Sequence, residues 1–201
     1  MEPYLLISSI LLAFGLSAAC GFRIFIPPLT YGLLYKADLV QLGEGFGWIG
    51  NDWVLVVLSL AALIEIIGNL VPWVDNLLDV IATPTAIIAG TTLSAASLSE
   101  IDPGLKWMLS LMSGVLVTGG FQVTTVSLRG LSSVFTGGLI NPIISLIEDL
   151  ISLVISISII LFPILGILIV ILMALFLRKI YMKLKKRKRK NSPQKFKIDQ
   201  K

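Results

Sequence analysis

Arg23, Glu65, Asp75, Asn76, Asp79, Gln122, Asn141 and Glu148 are the polar side chains through which this mostly apolar chain could do chemistry, and Gly137-Gly138 leads up to Asn141. An ionisable group inside an apolar segment is expensive, and such groups mark ion or substrate pathways by default. Arg23 therefore needs a carboxylate partner. Glu65 is expected to supply it, failing that Asp75, Asp79 or Glu148. Glu65 shares a helical face with Ser59, Ala62 and Asn69, and Glu148 shares one with Ser145, Ser152 and Ser156. The serines on these faces also suit plain interhelical hydrogen bonding. Asp75 and Asp79 lie four apart beside Asn76, an oxygen set that could hold Mg²⁺ or Ca²⁺. A solvated amphipathic segment is the alternative, so a metal stays open. Thr136-Gly137-Gly138-Leu139-Ile140-Asn141-Pro142 could admit an anion to a helix N-terminus, or could simply form a turn and cap.

Two absences narrow the chemistry. With no histidine there is no Ser-His-Asp triad and no histidine-ligated metal or haem. With one cysteine, Cys20, there is no internal disulfide and no thiolate cluster. No cofactor is expected.

The elements that must position these residues are read from composition. Of 201 residues 56% are hydrophobic and 14% charged, against roughly 25% charged in soluble domains. The apolar residues form runs long enough to cross a bilayer, which excludes a soluble enzyme and a disordered chain. Spans are expected near 4–22, 53–71, 84–99, 106–128, 143–161 and 164–182. Trp53, Trp73, Trp107, Tyr4 and Tyr181 fall at their ends, where amphipathic rings favour the headgroup level. The expected fold is an all-α polytopic transmembrane bundle of about six spans over residues 1–182. A polybasic, disordered tail covers 183–201. Small residues at four-residue spacing (Ala13, Ser17, Gly21; Ala86, Gly90, Ser94; Ser110, Gly114, Thr118) mark three helices that pack tightly at the centre.

Two of these helices are expected to break. Residues 4–35 are too long to cross once, and Gly21-Phe22-Arg23 followed by Pro27-Pro28 opens the helix. Gly119-Gly120-Phe121-Gln122 offers a parallel interruption. Downstream, Thr83-Pro84 and Asn141-Pro142 each read as a capping residue and a proline that start a helix. Together these give a 3+3 inverted repeat with broken helices, an arrangement found in transporters. Pro163 and Gly166 divide residues 143–182 into a hairpin, one long helix being the alternative.

Charge sets the orientation. From Arg178 to Lys201 there are 12 basic residues and one acidic, whereas the first 177 residues hold 4 basic and 11 acidic. Such a basic run stays cytoplasmic. Six spans then place both termini in the cytoplasm of a cell with this protein in its inner, plasma membrane. Arg23 is read as the only basic residue deep in the body. Leu16-Ser17-Ala18-Ala19-Cys20 looks like a lipoprotein cleavage box, but no basic residue precedes it, so the first helix is taken as uncleaved.

Ala18-Ala19-Cys20-Gly21-Phe22-Arg23, Pro72-Trp73-Val74-Asp75-Asn76-Leu77-Leu78-Asp79 with Thr83-Pro84 and Ala89-Gly90, Asp102-Pro103, and Thr136-Gly137-Gly138-Leu139 with Asn141-Pro142 occur in order. In these motifs the chain resembles the domain of unknown function 4126 family of small bacterial membrane proteins. The resemblance implies an integral membrane protein and supplies no substrate. The expected function is passage of a small solute or ion, with Arg23, Glu65, Asp75, Asn76, Asp79, Gln122, Gly137, Gly138, Asn141 and Glu148 along the path. The alternative is a non-transporting scaffold or lipid-interacting protein. An enzyme acting on lipid phosphate would rest on Asp75 and Asp79 alone, because the rest of the CDP-alcohol phosphotransferase motif is missing. Expected partners are the lipid bilayer and anionic headgroups at the tail, with a homo-oligomer left open and no nucleic acid.

Overall fold

The computed structural model describes residues 3–98 and 101–164, with positions 167, 168, 170–172, 174, 175, 178, 179 and 182 beyond; it leaves out the side chains of residues 3, 72, 73, 75–77, 79 and 80. The polybasic tail, residues 183–201, lies outside the described residues. The protein is all-helical, with no strand among the described residues. Its helices are α1 (Pro3–Cys20), α2 (Ile26–Lys36), α3 (Asp52–Asn69), α4 (Pro72–Ser97), α5 (Pro103–Met112), α6 (Gly119–Thr136) and α7 (Asn141–Leu161). A 3₁₀ turn covers Gly47–Gly50, and a π-helical stretch, Ser113–Thr118, joins α5 to α6. By length and composition Asp52–Asn69, Pro103–Thr136 and Asn141–Leu161 can each cross a membrane, and Tyr4–Cys20 is a shorter apolar helix.

Helix directions follow from paired contacts. Against α7, Ser152 bonds the Ala19 carbonyl, Gly15 lies on Ile159, and Arg23 reaches Ser145, so α1 and α7 are antiparallel. Against α3, Ile24 and Phe25 meet Glu65, Gly32 meets Leu55, and Lys36 pairs with Asp52, so α2 and α3 are antiparallel. The short turns 70–71 and 137–140 make α4 antiparallel to α3 and α7 antiparallel to α6. Gly114 against Thr91 and Gly119 against Ile87 make α6 antiparallel to α4. The chain therefore reverses at residues 21–25, and α1 and α2 form a hairpin that enters and leaves at the same end. That end also holds residues 37–51, tied down by Gly43 N–H on the Ala96 carbonyl and by Lys106 over the Phe46 ring.

This reversal sets the end from which α1 and α2 enter the bundle. The start of α1 lies at the end of the bundle that carries residues 37–51. After Phe162 the chain turns back: Ile167 joins the apolar cluster of Ile159, and Val170 that of Ile155, the order of a hairpin. Position 178 thus heads away from the end at which α1 starts.

The small-residue centre forms as expected. Ala13, Ser17, Gly21, Ala86, Gly90, Ser94, Ser110, Gly114 and Thr118 are all buried. Ser17 Oγ donates to the Gly90 carbonyl and Thr118 Oγ1 to that of Ser17. Gly90 leaves room for Thr118, and Gly114 for Thr91, so backbones approach where a Cβ would collide.

Two expected helix signals do not act. Thr83-Pro84 starts nothing: α4 begins at Pro72, and Pro84 sits inside it. Pro72, already in the first turn after Val71, does the initiating, and in an apolar bundle an interior proline is tolerated. Gly119–Gln122 is not a break either, because α6 runs straight through it. Asn141-Pro142 does open α7, but the Asn141 side chain caps nothing there; its amide donates to Ser133 Oγ at 2.9 Å.

Candidate functional site

The reversal leaves backbone groups that a membrane interior must satisfy without water. At the end of α1, the Ser17 carbonyl accepts from Thr118 Oγ1 and Gly21 N–H, while the Ala19 carbonyl accepts from Ser152 Oγ, Phe22 N–H and Arg23 N–H. At the start of α2, Pro27 and Pro28 occupy first-turn positions where a missing N–H costs nothing. The remaining donors, Ile24 and Phe25 N–H, both go to the Glu65 carboxylate, at 2.9 and 3.1 Å. Glu65 is thus a cap supplied by α3, set at the positive end of α2.

Arg23 stands on the reversal itself, 1% exposed. Its Nη2 donates to the Ser145 carbonyl at 2.7 Å and lies 3.6 Å from Glu148 Oε2, and its Nε contacts Asp149 Oδ1. The same Glu148 oxygen is 3.7 Å from Nε of Arg129. The expected Arg23–Glu65 pair is therefore corrected: the partners are Asp149 and Glu148. The reason is geometric, since Glu65 is engaged by the α2 amides while α7 runs alongside the reversal. Arg129 is also buried, so Arg23 is not the sole deep basic residue. Ser133, whose hydroxyl donates to the Arg129 carbonyl, links Asn141 to this group.

A cavity of about 320 Å³ opens beside the reversal. Phe22, Phe25, Ile64 and Ile81 supply its apolar wall, and Arg23, Glu65, Asn69, Gln122 and Arg129 its polar one. Gln122 is 2% exposed and its side-chain oxygen has no hydrogen-bond partner. Of the expected path residues, Arg23, Glu65 and Gln122 line the cavity, and Glu148 buttresses it from behind. Asn141 sits farther along the α6–α7 contact. Gly137 and Gly138 take left-handed conformations in the turn between those helices, which accords with a turn and cap and leaves them off the cavity wall. Asp75, Asn76 and Asp79 belong to the first turns of α4, and their side chains lie outside the described residues. Among the described residues no group of three or more His, Cys, Asp or Glu could hold a metal.

Three residues escaped sequence reading as site members. Asn69 was legible, one turn beyond Glu65 on the same face. Asp149 sits beside Glu148 in sequence and so projects about 100° away from it, off the marked stripe. Arg129 was assigned to a span end because the fourth span extends farther than its apolar run.

These features define an integral membrane protein of the helical class whose buried charges gather at a helix reversal. The chain belongs to the family described as domain of unknown function (DUF4126), whose pattern matches residues 10–183. No curated protein and no solved structure matches it.

Proposed function

We propose that this protein passes a small polar solute or ion across the membrane, with the cavity beside the reversal as its binding site. The observation that carries the reading is that cavity: two arginines, a carboxylate and two carboxamides face 320 Å³ of open space within an apolar bundle. A scaffold has no need of unfilled space beside buried charges, which packing would remove. Transporters place their sites at discontinuous helices. Gly21-Phe22-Arg23 meets Gly120-Phe121-Gln122 beside this cavity. Phe22 and Phe121 pack with ring centroids 5.2 Å apart, and Arg23 and Gln122 share the cavity. In this reading the basic tail lies in the cytoplasm and engages anionic headgroups. In this reading the hairpin enters and leaves on one side while later helices cross, and the N-terminus lies outside.

Cys20 is fully buried in the cluster of Leu16, Tyr31, Leu93 and Ile159, so it does not report on the cavity. A Cys20→Ala, Ala82→Cys protein moves the thiol to the cavity wall. An impermeant maleimide should label it in native membranes, and reconstituted vesicles should show protein-dependent flux of at least one alkali cation, halide or small organic ion. Labelling only after denaturation, with no flux, would sink the proposal in favour of a scaffold.

A further inference from the structure

α6 has a second open face, on the side away from the cavity. Gly120 and Gln122 lie about 200° apart round the helix, and Gly120 shares its side with Thr124 and Ser127. Opposite them stand Ala174 and Arg178 of the segment that returns after Phe162, with a groove of about 490 Å³ between. α4, which begins with Asp75 and Asp79, packs on the Gln122 side, and the α7 carboxylates contact Arg23.

The groove is apolar at one end and basic at the other. Val117 and Val170 share a cluster, and the returning segment, reversing from α7, runs parallel to α6, so Arg178 lies toward Ser127. Arg178 is exposed and makes no hydrogen bond or ion pair among the described residues. Lys179 follows it, and the sequence goes on to Lys183 and the basic run 185–190. From Val117 to Ser127 the helix rises about 15 Å, half of a hydrocarbon core of roughly 30 Å. That is the depth of one leaflet. A Cβ on Gly120 would meet nothing within 4 Å, so the floor of the groove is space that the protein leaves open. A second copy docked on this face would set the same cations against each other, whereas an anionic headgroup attracts them.

We propose that this groove seats one phospholipid of net negative charge, with an acyl chain laid over Gly120 and its phosphate at Arg178. The inference goes beyond transport and does not depend on it, since the groove and the cavity lie on different sides of α6.

The test places the full chain in phosphatidylcholine bilayers holding a little phosphatidylglycerol, or a little extra phosphatidylcholine, with a photoreactive acyl chain. Cross-linked residues are mapped by peptide mass spectrometry. Phosphatidylglycerol should label residues 116–127 saturably and in preference to the exposed α3 residues Val56, Leu60 and Leu63. Photoreactive phosphatidylcholine should show no such preference. Arg178→Gln should lower the preference ~5-fold, the worth of one basic residue near an anionic surface. Gly120→Leu fills the floor and keeps every charge, so it should remove the preference outright. Equal labelling by the two lipids would overturn the proposal. So would a phosphatidylglycerol preference that survives Gly120→Leu, which would leave the basic tail as the attractor. A dimer in mild detergent that Gly120→Leu splits would put a second copy in the groove, and would overturn it as well.

Discussion

Residues 3–36 and 103–136 cover equal lengths of chain, each packs at the centre of the bundle, and each carries a Gly-Phe-polar sequence just past its midpoint. The first reverses at 21–25, whereas the second stays helical for all 34 residues and relieves its strain in six π-helical ones, Ser113–Thr118. Glycine does not decide between these outcomes, because both have it. The first stretch has Pro27 and Pro28, which cannot donate to the carbonyls of Arg23 and Ile24. It also has Glu65 and Ser152, which take up the groups that a reversal exposes. The second has Val126 and Ser127 where the first has Pro27 and Pro28, so its cheapest course in lipid is to keep bonding itself. A reversal in a membrane thus needs its replacement bonds supplied in advance by neighbouring helices.

The largest expected contrast is between Arg23 and Gln122, the aligned polar residues. Arg23→Leu removes the cation from Asp149 and one of the cations beside Glu148 in the interior, and should cost about 3–5 kcal/mol. Gln122→Leu removes an amide whose oxygen has no partner, and should change stability by less than about 1 kcal/mol. Unfolding in mixed micelles measures both. Equal losses would mean that the two stretches are less different energetically than they are geometrically.

Next comes the cap. Glu65→Ala removes the acceptor of two buried backbone N–H groups, and should cost about 2–4 kcal/mol. Hydrogen exchange should speed up at Ile24 and Phe25 and stay unchanged at Gly120 and Phe121. If the second pair responds equally, the loss is global, and Glu65 is not a local device of the reversal.

The small-residue stripes were legible because they depend only on four-residue spacing, which any helix honours; all nine residues are where that spacing puts them. The reversal was legible too, because Pro27-Pro28 forbids the helix locally. What crosses between elements was not. Nothing in sequence tells whether a chain that breaks at Gly21 will continue or turn back. Nor could spacing reveal that Glu65 would be taken by amides 40 and 41 residues away, which handed Arg23 to α7. Pro84 misled for the opposite reason: a local breaker gave way to a helix that Pro72 had already started, with Pro84 on its exposed side.

The finest test compares the two glycines that sequence alone makes equivalent. A Cβ at Gly21 would press on the Phe121 side chain and the Thr118 carbonyl, while one at Gly120 meets nothing within 4 Å. Gly21→Ala must therefore push α1 off α6 or move backbone, and should cost about 1–3 kcal/mol as overpacking. Gly120→Ala has no such neighbour and sits inside a helix, so it should gain up to about 1 kcal/mol from helix propensity. Opposite signs in the same unfolding assay would show that the first glycine serves close approach and the second serves nothing structural. A loss at Gly120 comparable to that at Gly21 would mean that α6 also bends at this point during function or folding, and that the equivalence read from the motif runs deeper than the folded geometry.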